Sequence, residues 1–188
     1  MVVPAPRRFS VDEYYRMAEV GILGDDDRVE LIEGEIVEMA PVGPAHAGDV
    51  DGLTELFVTR LRGRAIVRVQ GPIRLDQHSE PQPDLAILRR PAEQPSGFRA
   101  SHPSPSDVLL LIEVSDTSLV FDLGTKASLY ARSGVVELWV VNLKEESLVV
   151  HRKPTDHGYS DVTVLRSGDR VAPIALPDLT IDVAELLG

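Results

Sequence analysis

The stretch Asp107–Ser118, DVLLLIEVSDTS, sets five consecutive apolar residues, Val108 to Ile112, directly against a carboxylate at Glu113. A short apolar run bounded by polar residues predicts a β-strand covered on both faces, and therefore central in its sheet. A carboxylate at the end of such a strand needs partners, because an isolated buried charge costs several kcal/mol. Those partners must come from elsewhere in the chain.

Working outward, PDLAIL (Pro83–Leu88) predicts a neighbouring strand that opens on Asp84, and AIVRVQGPIRL (Ala65–Leu75) predicts one bent strand or two, broken near Gly71–Pro72. Pro91 to Pro105 is rich in Pro, Ser and Gly and reads as a surface loop. Beyond the central stretch, Thr117 to Gly134 predicts a helix closed by Gly134, and VVELWVVNL (Val135–Leu143) another apolar strand. SLVVHRK and YSDVTVL predict a meander, and IDVAELLG a short final helix.

On the N-terminal side, FSVDEYYRMAEVG (Phe9–Gly21) predicts a helix with a capping box of Ser10 and Glu13 and a stop at Gly21. RVELIEGEIVEM (Arg28–Met39) predicts a hairpin turning at Glu33–Gly34. A helix follows over Ala45 to Arg62, where Val50, Leu53, Leu56, Phe57 and Leu61 recur at helical spacing. No repeat and no second core is evident, so the 188 residues are expected to form a single domain, 1–188, of mixed type with helices flanking a central sheet.

The chain has no cysteine, which excludes disulfide scaffolds, thiolate zinc sites and cysteine nucleophiles. No apolar run approaches a membrane span, and MVVPAPRRFS lacks the apolar core of a secretory signal, so a cytoplasmic location without membrane contact is expected. The formal net charge of -11 counts against a general, high-affinity grip on nucleic-acid phosphates. The best local basic segment, Arg60 to Arg68 (RLRGRAIVR), reads more simply as a helix C-terminus whose arginines complement the dipole.

Three acids lie in or at the ends of predicted strands: Glu30, Asp84 and Glu113. Ligands in open sheets gather outside strand ends, and carboxylates on adjacent strands repel unless a cation lies between them. Oxygen ligands suit magnesium, manganese or calcium rather than zinc. Lys126, on the following predicted helix, could return over the strand end to orient a water, stabilise negative charge or close a salt bridge. Each has a plainer reading. Asp84 could position the turn after Pro83, Glu113 and Lys126 could form a structural buried pair, Glu30 could be an exposed strand residue, and His46 could simply start a helix. His78, His102, His151 and His157 show no metal-ligand spacing and read as surface histidines. Trp139 and Tyr130 read as core. A Ser/His/Asp triad lacks a Gly-x-Ser-x-Gly elbow.

Taken in order, VELIEGEIVEM, AH (Ala45–His46), PQPDLAIL, LLIEVSDTS, the series Asp122, Lys126, Tyr130, Ala131 and Gly134, and VELWVV resemble the Uma-type endonuclease family within the restriction-endonuclease-like (PD-(D/E)XK) superfamily. The resemblance spans roughly Phe9 to Val150. It implies an α/β (α+β) fold, a restriction-endonuclease-like core with a mixed central sheet flanked by helices, plus the N-terminal helix and hairpin. It also implies catalytic Glu30, Asp84, Glu113 and Lys126. Mg²⁺ or Mn²⁺ would be held by Asp84, Glu113 and the backbone carbonyl of Val114, with Glu30 holding a second metal or an outer-shell water. His46 and Gln82 match recurring family positions. The superfamily's usual lysine position holds Ser115, and the lysine's role falls to Lys126. Asp116 stands where the family has a small or apolar residue; a cap for the next helix is the favoured reading.

The implied activity is metal-assisted phosphodiester hydrolysis of nucleic acid, DNA before RNA. The alternative is an inactive nuclease-fold module acting in binding or assembly, which the acidic charge favours. A homodimer is expected through VVELWVV and the edge meander.

Overall fold

The computed structural model describes residues 6–24, 26–91 and 97–188. Helix α1 (Val11–Glu19) begins with the expected box: the Ser10 hydroxyl accepts from the Glu13 N–H, and the Glu13 carboxylate accepts from the Ser10 N–H. Strands β1 (Val29–Ile32) and β2 (Glu35–Glu38) form the hairpin, antiparallel with Leu31 opposite Ile36. Its turn holds Glu33 and Gly34 at positive φ, and a Cβ on Gly34 would lie 2.6 Å from the Arg8 Cβ. Only glycine fits there.

Helix α2 (Pro44–Leu61) opens with proline at its first position and buries Val50, Leu53, Phe57 and Leu61. It leads into β3 (Ile66–Val69), β4 (Leu85–Leu88) and β5 (Val108–Ser115). After β5 come a short turn of helix, α3 (Leu119–Phe121), a π-helical turn over Asp122–Lys126, and α4 (Ala127–Arg132). Strands β6 (Glu137–Asn142), β7 (Ser147–Thr155) and β8 (Gly158–Arg166) complete a six-stranded sheet in the order β3-β4-β5-β6-β7-β8. Only the β5–β6 pairing is parallel, so the sheet is mixed. Strands β9 (Arg170–Val171) and β10 (Ile181–Asp182) form a separate small ladder.

Every residue of β5 and β6 is buried, as their apolar runs predict. Alternation then sorts side chains into two layers. Leu85, Ile87, Ile112, Val114 and Trp139 pack beneath α2 and the C-terminal segment. Ala86, Leu88, Leu111, Leu138 and Val140 pack with Ala127, Leu129 and Tyr130 of α4. Glu113 falls between Ile112 and Val114 in the alternation, so it leaves the sheet on the α4 side.

Several expectations are corrected. Ala65–Leu75 yields one strand, β3, because Gly71–Pro72 turns the chain and the backbone of Ile73 bonds Pro81 rather than a strand neighbour. The final segment is a two-residue strand and a 3₁₀ turn (Val183–Glu185), not an α-helix. VVELWVV is interior, flanked by β5 and β7, so it offers no edge to a second copy; β8 is the free edge on that side. Asp116 does not cap the next helix but lies 3.8 Å from exposed Lys144. His151 is buried, not a surface residue. Part of the loop expected over Pro91 to Pro105 lies outside the described residues. No helix among the described residues is long and apolar enough to cross a membrane.

Candidate active site

Glu30, Asp84, Glu113 and Lys126 meet at the ends of β1, β4 and β5. The Lys126 Nζ lies 3.3 Å from Glu30 Oε1 and 3.3 Å from Glu113 Oε1. Asp84 and Glu113 are locked across the β4–β5 pair. The Asp84 N–H donates to Glu113 Oε2 at 3.3 Å, and the Val114 N–H donates to Asp84 Oδ2 at 2.8 Å. In an antiparallel ladder the N–H and C=O of one residue face the same neighbour, so the Val114 carbonyl is also turned toward β4. His46, in the first turn of α2, sets its Nε2 3.0 Å from Asp84 Oδ1. The Gln82 N–H holds Glu30 Oε2 at 3.0 Å. The site residues named from the sequence are thus brought together, and the plain reading of Glu30 as an exposed strand residue is overturned, since it is 2% exposed.

The cluster is graded in depth. The Glu30 and Glu113 side chains are each 3% exposed and Lys126 8%, whereas Asp84 is 14% and His46 20% exposed. The way in from solvent is therefore at Asp84 and His46, with the lysine and two glutamates beneath.

Two residues that the sequence named only as part of the family series, Tyr130 and Asp122, also contribute to the site. The Tyr130 hydroxyl donates to Glu113 Oε1 at 2.7 Å. Asp122 is buried and accepts from the hydroxyls of Ser115 and Ser118, both at 2.6 Å. Asp122, Lys126 and Tyr130 recur at four-residue spacing, and a polar series at that spacing on a buried helix face was the available signal. The π turn over Asp122–Lys126 is the kind of local rewinding found at functional sites.

Charge is out of balance here. Four carboxylates, Glu30, Asp84, Glu113 and Asp122, share one ammonium and one imidazole. Burial pushes the Glu113 carboxyl up to about 8; Lys126 opposes this while Asp122 and Asp84 add to it. For Lys126, burial pulls down, but Glu113 and Glu30 outweigh it and hold the amine protonated. The bond to Asp84 raises the His46 pKa against the effect of burial. Burial and Glu113 together raise the Tyr130 phenol far above its ordinary range.

Among the described residues, no three or more His, Asp or Glu side chains are disposed to hold a metal ion. The donor set still fits Mg²⁺ or Mn²⁺, because Mg²⁺ takes one or two carboxylates and fills its shell with waters and substrate phosphate.

Residues 11–184 match the family model described as "Uma2: Putative restriction endonuclease". The chain belongs to the Uma2 family. A crystal structure described as a "putative nuclease belonging to DUF820", from Anabaena variabilis, superposes with a TM-score of 0.73 at 16% identity, covering 95% of this chain and 97% of that one. At that identity the likeness speaks for the fold alone, a mixed α/β architecture. No curated protein matches the sequence significantly.

Proposed function

We propose that the chain, as one domain over residues 1–188, is a metal-dependent endonuclease that hydrolyses phosphodiester bonds of DNA. The observation that carries this reading is the Asp84–Glu113 pair. Two acids from adjacent strands are cross-tied, Glu113 to the Asp84 N–H and Asp84 to the Val114 N–H, in a cluster with more carboxylates than cations. An added divalent cation would relieve that imbalance, and membership of the Uma2 family supports the reaction class.

Asp84, Glu113 and the Val114 carbonyl are the residues that would hold Mg²⁺ or Mn²⁺, with Glu30 supporting a second ion or an outer-shell water. When bound, such a cation supplies a more acidic water and offsets the charge that develops on phosphate. The remaining work falls to the protein. His46 fixes Asp84 Oδ1, so the other carboxylate oxygen keeps one orientation. The Gln82 N–H fixes Glu30. Lys126 offers a positive charge to a phosphate oxygen or water near the acids, and Tyr130 orients Glu113.

The test is cleavage of DNA with Mg²⁺ by the unaltered chain and by Asp84→Ala. The unaltered chain should cut, and the variant should lose about a thousandfold or more in rate, the scale seen when a key transition-state contact is removed, with an unchanged circular dichroism spectrum. Equal cutting by both would remove the assignment. One observation favours a second reading: Lys126 is already engaged by two glutamates, as in a closed structural network. An inactive nuclease-fold module would bind nucleic acid and cut none under any divalent metal.

A further inference from the structure

A cavity lies between α1, the start of β1 and the segment from Glu80 to Gln82. It encloses about 190 Å³ and is lined by Tyr14, Tyr15, Leu23, Pro72, Glu80 and Gln82, among others. It adjoins the candidate site through the backbone. The Gln82 N–H holds Glu30, while the Gln82 amide and the Tyr14 hydroxyl both donate to the Val29 carbonyl, at 3.4 and 2.9 Å.

Glu80 sets the chemistry of this cavity. It is 2% exposed, and its backbone is fixed to β1 by an N–H bond to the Leu31 carbonyl at 2.7 Å. Its Oε1 accepts from the Tyr15 hydroxyl, and its Oε2 is buried with no hydrogen-bond partner among the described residues. A buried carboxylate oxygen without a donor is costly, and nothing in the candidate site's chemistry uses it. Tyr15 is 37% exposed, with its ring stacked on His102 at 6.2 Å. Behind the lining residue Pro72, Arg68 donates to the Pro72 carbonyl at 3.0 Å and lies over the Phe98 ring.

We infer that this cavity is a subsite for a single unstacked pyrimidine bearing an amino group, a cytosine. The inference deepens the nuclease reading and rests on it. A phosphate is excluded by the carboxylate. Tyrosine walls suit a flat ring, since bases drawn out of a strand stack on aromatic side chains. A cavity of about 150 Å³ takes one benzene-sized ring, so this one suits a pyrimidine better than a purine. A carboxylate accepts from the cytosine amino group, whereas thymine presents a carbonyl oxygen at that edge. The amino group would take up Glu80 with the Tyr15 hydroxyl displaced, and Arg68, beside the lining residue Pro72, would meet the phosphate that follows the base.

The test separates binding from cutting. In EDTA, where no metal-dependent cleavage can occur, the full chain is titrated with fluorescent single-stranded oligo-dC and oligo-dT. Oligo-dC should bind at least about tenfold more tightly. Glu80→Gln, whose amide donates to a carbonyl, should abolish or invert that preference. Tyr15→Phe, which keeps the ring and frees Glu80, should enlarge it. Equal affinities in the unaltered chain, no binding of either strand, or a preference that survives Glu80→Gln would each overturn the subsite. Cleavage of both strands by the unaltered chain in Mg²⁺ is measured separately. A cytosine preference without cleavage upholds the subsite and removes the nuclease reading, while cleavage without any preference does the reverse.

Discussion

Two glutamates are buried on adjacent strands of one sheet, and they are buried differently. Glu137, on β6, is fully enclosed and saturated. It accepts from the Trp139 indole at 2.8 Å, from the Arg152 guanidinium at 2.8 and 2.7 Å, and from the Ile174 N–H at 2.6 Å. Its one charge faces one arginine. Glu113, on β5, shares a single lysine with Glu30 and has Asp84 and Asp122 close by. Burial of a charge is therefore not what distinguishes a candidate site from a structural pair. The distinction is surplus: both oxygens of each glutamate meet donors, but the Glu137 charge is matched by Arg152 while Glu113 sits among more carboxylates than cations.

Swapping each glutamate for its amide should split the two cleanly. Glu113→Gln removes a carboxylate that the fold finds hard to ionise, so the thermal midpoint should hold or rise. Metal-dependent DNA cleavage should fall by about a thousandfold. Glu137→Gln strands part of the Arg152 charge and should cost about 3 kcal/mol, seen as a midpoint lower by roughly 6–12 °C. Cleavage per folded molecule should be unchanged. If Glu113→Gln unfolded the chain and Glu137→Gln left it intact, the contrast between surplus and saturation would be wrong.

A smaller effect sharpens the same contrast. The Tyr130 hydroxyl donates to Glu113, and a donor to a carboxylate favours its charged form. Tyr130→Phe should therefore raise the Glu113 pKa further above the about 8 at which burial already places it. The rise in cleavage rate with pH should shift to higher pH, with a stability loss of about 1–2 kcal/mol. A purely structural tyrosine would lower stability and leave the pH profile in place.

Most of the scaffold could be read from the residues, because its signals are local. Ser10 and Glu13 announce α1, and the apolar runs of β5 and β6 announce burial on both faces. The carboxylates and Lys126 were identifiable through resemblance to a family, and the geometry brings them together. What could not be read depends on tertiary placement. The inner position of β6 follows from pairing on both its edges, which an apolar run alone does not specify. His151 is buried because β8 and the Tyr159 ring, 5.5 Å away, cover its end of β7. Glu80 looks like an ordinary loop acid until its neighbours Leu31 and Tyr15, distant in the chain, are seen to enclose it.

Two histidines carry the comparison into pH. His46 gains a partner in Asp84, so its folded pKa is raised above the ordinary imidazole value of 6.5. Its contribution is complete below the unfolded pKa and is lost as pH rises through the folded value. His151 is buried without a partner for Nε2 among the described residues, and burial lowers its pKa from 6.5. Its contribution is complete above 6.5 and is lost as pH falls through the lowered value. The two oppose one another around pH 6.5 and should be separable by substitution. His151→Phe should flatten the decline in thermal midpoint on the acid side, because the unfolded chain no longer gains a proton that the fold refuses. His46→Gln should flatten the decline on the alkaline side. Midpoints measured from pH 5 to 9 check both, and a His151→Phe variant that loses stability at acid pH as steeply as the unaltered chain would show that this imidazole is hydrated rather than held neutral by the core.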